Sequence, residues 1–306
     1  MIISISRRTD IAAFYTPWLM ERLRAGEVLV PRAHQPGVLE RVDLSAEAVD
    51  CLVVISKDPA PLLPHLAELR ERGLRLAVQM TITGYGPRWE PYVPPAAQSA
   101  AVFARLSQAL GAEWIDWRYD PILLGDGITE RRHREQFAKL CAALAGLTTR
   151  CIVSFVDAYP HLGGVVQPLA EETMRAMAAD LAETAGHYGL TLTSCAEAVD
   201  LSAQGIQPGA CIDGERLSRL LGWQIPAGKA QGQRKDCRCA ESIDIGSYDT
   251  CLHCCRYCYA TTSTALAKER HRLHDPHSPL LWGWPTGQES IVQRPMTAGP
   301  RQLKLF

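Results

Sequence analysis

CLVVISKDPAPLLPHLAELRERGLRLAVQMT, residues 51–81, carries the fold decision. Cys51 to Ser56 is a short apolar run, Pro61 to Arg72 sets Leu62, Leu63, His65, Leu66 and Leu69 at helical spacing, and Leu74 to Thr81 is apolar again. Short apolar runs bounded by turn residues read as buried strands, and the periodic segment between them reads as an amphipathic helix. Two strands joined by a helix form one unit of a parallel sheet, because parallel neighbours need a long crossover. The rhythm continues in both directions. Strands are expected at Ile2 to Ser6, Trp114 to Arg118, Cys151 to Phe155 and Leu190 to Ser194, and helices at Thr16 to Ala25, Pro95 to Leu110, Thr129 to Ala145 and Leu169 to His187. Glu27 to Leu44 interrupts it with two β-rich arms around Pro36-Gly37 and reads as an inserted hairpin. Right-handed crossovers between six parallel strands predict an α/β fold, a partial (βα)6-type parallel barrel. The expected organisation is the barrel over 1–194 with the hairpin near 27–44, a cysteine-rich region over 195–273 packed on it, and a tail over 274–306.

Loops that follow parallel strands gather on one rim. Here they read SRRTD, SKDP, TITGYG, RYDP and VDAY. Arg7, Arg8 and Asp10 after the first strand, and Arg118, Tyr119 and Asp120 after the fourth, are the candidate catalytic groups. Their arginines suit a carboxylate or phosphate and their aspartates a ribose hydroxyl. The competing reading of each Arg–Asp couple is a salt bridge that fixes its loop. Lys57 and Thr83 are candidate cofactor contacts on the same rim, with Asp58, Thr81 and Asp157 beside them.

The chain has 306 residues, with 32 lysines and arginines against 33 acidic residues and a formal net charge of −1. That balance excludes a global basic field for nucleic acid. The runs Glu130 to Arg134 and Lys268 to Arg272 read as solvated helix faces. No apolar run approaches the roughly 20 residues needed to span a bilayer. Eleven cysteines without an apolar signal segment are expected in a reducing cytoplasm.

Six of those cysteines fall in Asp236 to Ala260, DCRCAESIDIGSYDTCLHCCRYCYA. Cys251, Cys255 and Cys258 form CxxxCxxC, a spacing at which three thiolates hold three irons of a [4Fe–4S] cluster and leave the fourth open. The same residues parse as two zinc pairs, Cys251 with Cys254 and Cys255 with Cys258. Cys195, Cys211, Cys237 and Cys239 are the number that a closed auxiliary [4Fe–4S] cluster needs, or a structural zinc. Cys51, Cys141 and Cys151 lie within elements and read as packing residues.

With Tyr257 before its last cysteine, the motif resembles CxxxCxΦC of the radical S-adenosylmethionine (SAM) enzymes. That resemblance implies a [4Fe–4S] cluster whose open iron chelates SAM. An electron from a donor such as flavodoxin or ferredoxin then cleaves SAM to a 5′-deoxyadenosyl radical, and Tyr257 joins the cofactor-binding residues. In that family the cysteine loop follows the first strand, whereas here it follows all six, so the resemblance implies a circularly permuted barrel. Together with SRRTD, TGYG at 83–86 and WRYDPILL at 117–124, the stretch also resembles a bacterial family of unknown function designated DUF1848, over nearly the whole chain. Gln302 to Phe306, QLKLF, resembles the peptide by which DNA-repair and replication proteins bind the DNA sliding clamp. The expected function is a radical SAM enzyme acting on a nucleic acid or nucleotide, or else on a peptide or small metabolite. The contrasting expectation is a non-enzymatic zinc- or iron–sulfur-binding module recruited to the replication and repair machinery.

Overall fold

The computed structural model describes residues 1–300 except Ala227 and Gln231, so the QLKLF peptide lies outside the described residues. Along the chain come β1 (Ile2–Ile5), α1 (Ile11–Phe14), α2 (Thr16–Ala25), β2 (Glu27–Pro31), β3 (Val38–Asp43), β4 (Cys51–Ser56), α3 (Leu66–Glu71), β5 (Leu76–Thr81) and α4 (Ala96–Leu110). They are followed by β6 (Ile115–Ile122), α5 (Glu130–Leu144), β7 (Arg150–Phe155), α6 (Glu171–His187), β8 (Thr191–Cys195), β9 (Gln207–Gly209), α7 (Gly214–Leu221), β10 (Ser242–Asp244), α8 (Thr264–Arg272) and β11 (Ser290–Gln293). The main sheet is parallel throughout, in the order β10-β1-β4-β5-β6-β7-β8-β9. Each of the six expected strands is present. The sheet nevertheless has eight strands, because β9 and β10 span only three residues each and are too short to show a hydrophobic pattern. β10, last of the eight in sequence, is first in space.

The hairpin forms as β2 and β3, antiparallel from Glu27↔Asp43 to Pro31↔Leu39. β11, from the segment expected to be a tail, joins it by pairing parallel with β3. The result is a three-stranded sheet with exposed β11 at one edge, while at the other edge Leu29 N of β2 donates to Pro279 O at 3.0 Å.

Side chains alternate across each strand. One face of the sheet carries Ile3, Ile5, Leu52, Val54, Val78, Met80, Trp117, Tyr119 and Val153, buried against Leu19, Phe103, Phe137, Leu140 and Leu181 of the helices. The opposite face carries Ile2, Cys51, Val53 and Ile152, which cluster with Cys195, Cys211, Cys237 and Cys239. Buried Ser4, Gln79, Asp116, Arg118, Arg150 and Ser154 share that second face by the same alternation.

The second face is concave. Seven intervals of about 4.8 Å would set the edges of a flat eight-stranded sheet about 34 Å apart. Instead Ala240 N, just before β10, donates to Ile212 O, just after β9, at 2.8 Å. The two edges therefore meet, and the sheet curls into a barrel with a seam between β9 and β10. α7 sits near the starts of the strands, with Leu217 in the inner cluster and Arg216 3.4 Å from Asp116. Arg150, the first residue of β7, bonds Asp116 at 3.1 Å and reaches Asp213, the α7 N-cap, at 3.3 Å.

Four of the five expected helices keep their bounds closely, but the one expected over Pro61 to Arg72 is α-helical only in α3, because the prolines at 61 and 64 hold Ala60–His65 in a 3-10 turn. The exposed basic run of α5 is paired along the helix, Arg131 to Glu135 at 3.7 Å and Arg134 to Glu130 at 3.4 Å. Among the described residues no helix is long and apolar enough to cross a membrane. Cys51, Cys141 and Cys151 are buried packing residues; burial pushes the Cys51 and Cys141 thiols up to about 12 and Cys151 well above its usual value.

Buried His133 of α5 ties the helix layer to the sheet. Its Nε2 donates to Leu123 O at 2.8 Å, so its Nδ1 accepts from Tyr119 Oη at 2.8 Å. Burial lowers its pKa from 6.5. The unfolded chain then takes up the proton first, so stability is complete above pH 6.5 and falls as pH drops from 6.5 toward the depressed folded value. Denaturant midpoints between pH 7 and pH 5 should decline less steeply for His133→Gln than for the wild type; equal slopes would remove His133 from this account.

Candidate metal centres at the barrel mouth

The loop that leaves β10 presses closely on the first strand, and Gly246 lets it pass where an added Cβ would collide with Ser6. Asp249 N then donates to Ala260 O at 2.9 Å, and the Asp249 carboxylate accepts from Ser263 N at 3.2 Å and Thr262 Oγ1 at 2.8 Å. This knot closes the base of the cysteine loop. Cys254 takes a left-handed backbone conformation, φ 54°, and turns the chain between Cys251 and Cys255. His253 bridges Asp10 Oδ2 at 2.9 Å and Tyr92 O at 3.0 Å, while Arg256 N donates to Trp89 O at 3.0 Å. The loop is thus pinned over the C-terminal ends of β1, β4 and β5.

Cys251, Cys255 and Cys258 are all half-buried and close enough to influence one another electrostatically. Burial pushes the Cys251 and Cys255 thiols up, and the Lys57 ammonium opposes that at Cys255. Cys258 Sγ accepts from Ala260 N at 3.4 Å. A charged cluster braces the wall beside them. Lys57 Nζ lies 2.7 Å from Glu90 Oε1, Thr83 Oγ1 donates to Glu90 at 2.8 Å, Tyr257 Oη donates to Glu90, and Lys57 Nζ sits 5.6 Å from the centre of the Tyr257 ring. Burial alone would raise Glu90, but Lys57 and the two hydroxyls hold it below the ordinary carboxylate value.

The second group lies on the seam. Cys195 ends β8, Cys211 follows β9, and Cys237 and Cys239 precede β10. The Sγ atoms of Cys195, Cys211 and Cys239 all lie within 4.8 Å of one another, with Cys211 and Cys239 at 3.1 Å. Cys237, two residues before Cys239, is buried in the same cluster but stands outside that compact trio, and the neighbouring Cys239 lowers its thiol below the ordinary value. Hydrogen bonds from Cys195 and Cys239, then the charges of Arg118 and Arg7, hold Cys211 well below the usual thiol value.

The rim residues divide by strand parity and loop length. Arg7 lies 3.5 Å from Asp244 and faces the seam cysteines. Arg8 turns outward over the Tyr248 ring at 5.4 Å. Asp10 caps α1 through Ala13 N at 3.0 Å and accepts from Lys57 N at 2.7 Å and from His253, so it braces the cysteine loop. Arg118 donates to Gln79 Oε1 at 3.0 Å and pairs with Asp120, which also accepts from Ser154 Oγ. Tyr119 departs from the expectation. β6 runs on to Ile122, so Tyr119 is still strand and points to the helices, fully buried beneath His133, while its neighbours on either side point inward. Glu90, His253 and Asp244 are the functional-site residues that sequence reasoning passed over. Asp244 receives Ser6 Oγ at 2.5 Å and Arg7 N at 2.8 Å. His253 had a signal, being a titratable side chain between two motif cysteines; Glu90 had none.

The family model for the domain of unknown function DUF1848 matches residues 2–260. The chain belongs to this family. The DUF1848 match takes in all eight strands of the main sheet and both cysteine groups, and it ends two residues after Cys258. No curated protein matches the DUF1848 chain in sequence. Solved structures similar to it include a proposed alpha-L-fucosidase from Bacteroides thetaiotaomicron, at 9% identity and TM-score 0.28 over 75% of this chain and 85% of that one. Another is the pneumococcal virulence factor StrH, studied for N-glycan recognition and hydrolysis, at 10% identity and TM-score 0.24 over 70% and 64%. Similarity this low assigns no activity.

Breaking the buried Lys57–Glu90 pair leaves a carboxylate without its counter-charge. Lys57→Met should cost about 3 kcal/mol in chemical denaturation, and Lys57→Met combined with Glu90→Gln should recover part of that. A neutral Lys57→Met variant would show that the pair does not hold this wall.

Proposed function

We propose that this protein is a radical SAM enzyme whose [4Fe–4S] cluster is held by Cys251, Cys255 and Cys258. The observation that carries the reading is positional. The CxxxCxΦC loop follows β10, and β10 is the first strand of the sheet in space although the last in sequence. A circular permutation of a partial barrel accounts for that order, with the cysteine loop after the leading strand and over the C-terminal ends of its neighbours. The donor set fits the group: three thiols on one loop within electrostatic reach of one another, one of them accepting a backbone N–H, beside the paired charges of Lys57 and Glu90. When bound, such a cluster supplies the electron that cleaves SAM to a 5′-deoxyadenosyl radical, and a flavodoxin or ferredoxin in a reducing cytoplasm is the matching donor.

The chain's own residues have separable tasks in this reading. His253, Asp10 and Asp249 fix the loop; Lys57, Glu90, Thr83 and Tyr257 hold its wall; the filled inner face and α7 exclude water from below. Arg118, Asp120 and Tyr259 offer polar contacts to a substrate, with Tyr259 Oη donating to Arg7 O. Guanidinium and phenol groups suit a nucleotide, which is the substrate class we favour over a peptide or small metabolite.

Anaerobically purified protein should be brown, contain iron and sulfide, and on reduction with SAM release 5′-deoxyadenosine. Cys255→Ala should reduce that release to background. Colourless protein with zinc and no iron, or product unaffected by Cys255→Ala, would overturn the assignment.

A further inference from the structure

We propose that Cys195, Cys211, Cys237 and Cys239 bind one tetrahedral zinc ion that fastens the seam of the barrel, rather than a second iron–sulfur cluster. The two groups differ in size. Four sulfurs about 2.3 Å from one zinc stand about 3.8 Å apart. Thiolates on a cubane stand roughly 6 Å apart, since each lies a full iron–sulfur bond outside a corner of the cube. Cys195, Cys211 and Cys239 place their sulfurs within 4.8 Å of one another, and among the described residues no other such group of His, Cys, Asp or Glu is this compact. The donor set agrees, because all-sulfur tetrahedral sites select zinc or iron and exclude harder ions.

Charge points the same way. Zinc with four thiolates carries two net negative charges, and burying them requires counter-charges. Arg7 and Arg118 bring positive charge near Cys211, with Arg7 also near Cys239 and Arg118 near Cys195, although each guanidinium also pairs with a carboxylate, Asp244 and Asp120. Topology agrees. The ligands come from the end of β8, the exit of β9 and the entry to β10, so a single ion ties together the two edges that a curled sheet must join. Backbone bonding across this junction includes only three-residue strands at each edge, and the Ala240 to Ile212 bond is a slender link by itself.

The test uses the full chain with the other site removed, so that its outcome is independent of the radical SAM reading. Protein carrying Cys251→Ala, Cys255→Ala and Cys258→Ala, purified anaerobically, should contain about one zinc per chain and no acid-labile sulfide. Sulfide with several irons per chain, iron without sulfide, or no metal would each overturn the proposal. Should that variant fail to fold, zinc-edge X-ray absorption on the wild-type protein and on Cys211→Ser decides: four sulfurs at about 2.3 Å that are lost in Cys211→Ser support it, and a four-sulfur signal unchanged by that substitution, nitrogen or oxygen ligands in the wild type, or the absence of zinc refute it. Chelation of the wild-type zinc should lower the melting temperature and increase proteolysis near the seam, and an unchanged melting profile would refute the fastening role.

Discussion

Curling a parallel sheet until its edges meet is the constraint on which the rest of this molecule depends. A parallel strand can be buried on both faces, and an edge strand exposes unpaired N–H and C=O groups. Here both edge strands are only three residues long and converge at the seam, where the chain after β9 bonds the chain before β10. Joining the edges makes an enclosed inner face, and both candidate metal centres take their positions from it. One lies within the seam. The other is carried by the loop that the seam strand β10 delivers to the mouth.

That inner face is built differently from the outer one. Toward the helices the sheet is packed with large apolar and aromatic side chains, whereas the inside carries charges. Those charges and the ones on the rim loops are matched: Arg150 with Asp116 and Arg118 with Asp120 inside, Arg7 with Asp244 and Lys57 with Glu90 at the rim. Buried ion pairs add little net stability, because desolvation offsets most of the attraction, but losing one partner is severe. Such pairs specify a geometry more than they stabilise one. They hold the rim residues in fixed orientations.

Much of this was legible in the chain because hydrophobic periodicity reports burial directly. The six longer strands, the five helices and the hairpin each bury enough apolar surface to leave a pattern. β9 and β10 bury little and pair over three residues, so their existence depends on tertiary closure, which no local window contains. Tyr119 shows a second limit. Arg118, Tyr119 and Asp120 look like one polar loop, yet strand alternation continues through them and sends the tyrosine to the opposite side from its neighbours. Glu90 illustrates a third: it is the ninth residue of the loop between β5 and α4, and it reaches Lys57 because that loop folds back with Trp89 packed in one cluster with Tyr257, a residue far away in the chain.

The cysteine-rich stretch therefore divides at β10. Cys237 and Cys239, before that strand, face inward at the seam with cysteines contributed from the far edge of the sheet. Cys251, Cys255 and Cys258, after it, lie on the mouth with residues of β1, β4 and β5. One three-residue strand separates two environments of opposite character. The seam group is compact and enclosed, with two arginines facing it, as a site with a structural task needs to be. The mouth group is half-exposed and sits beside polar rim residues, as a site that admits a ligand must be. Sequence proximity joins the two groups, but the direction of β10 through the barrel determines which cysteines share an environment.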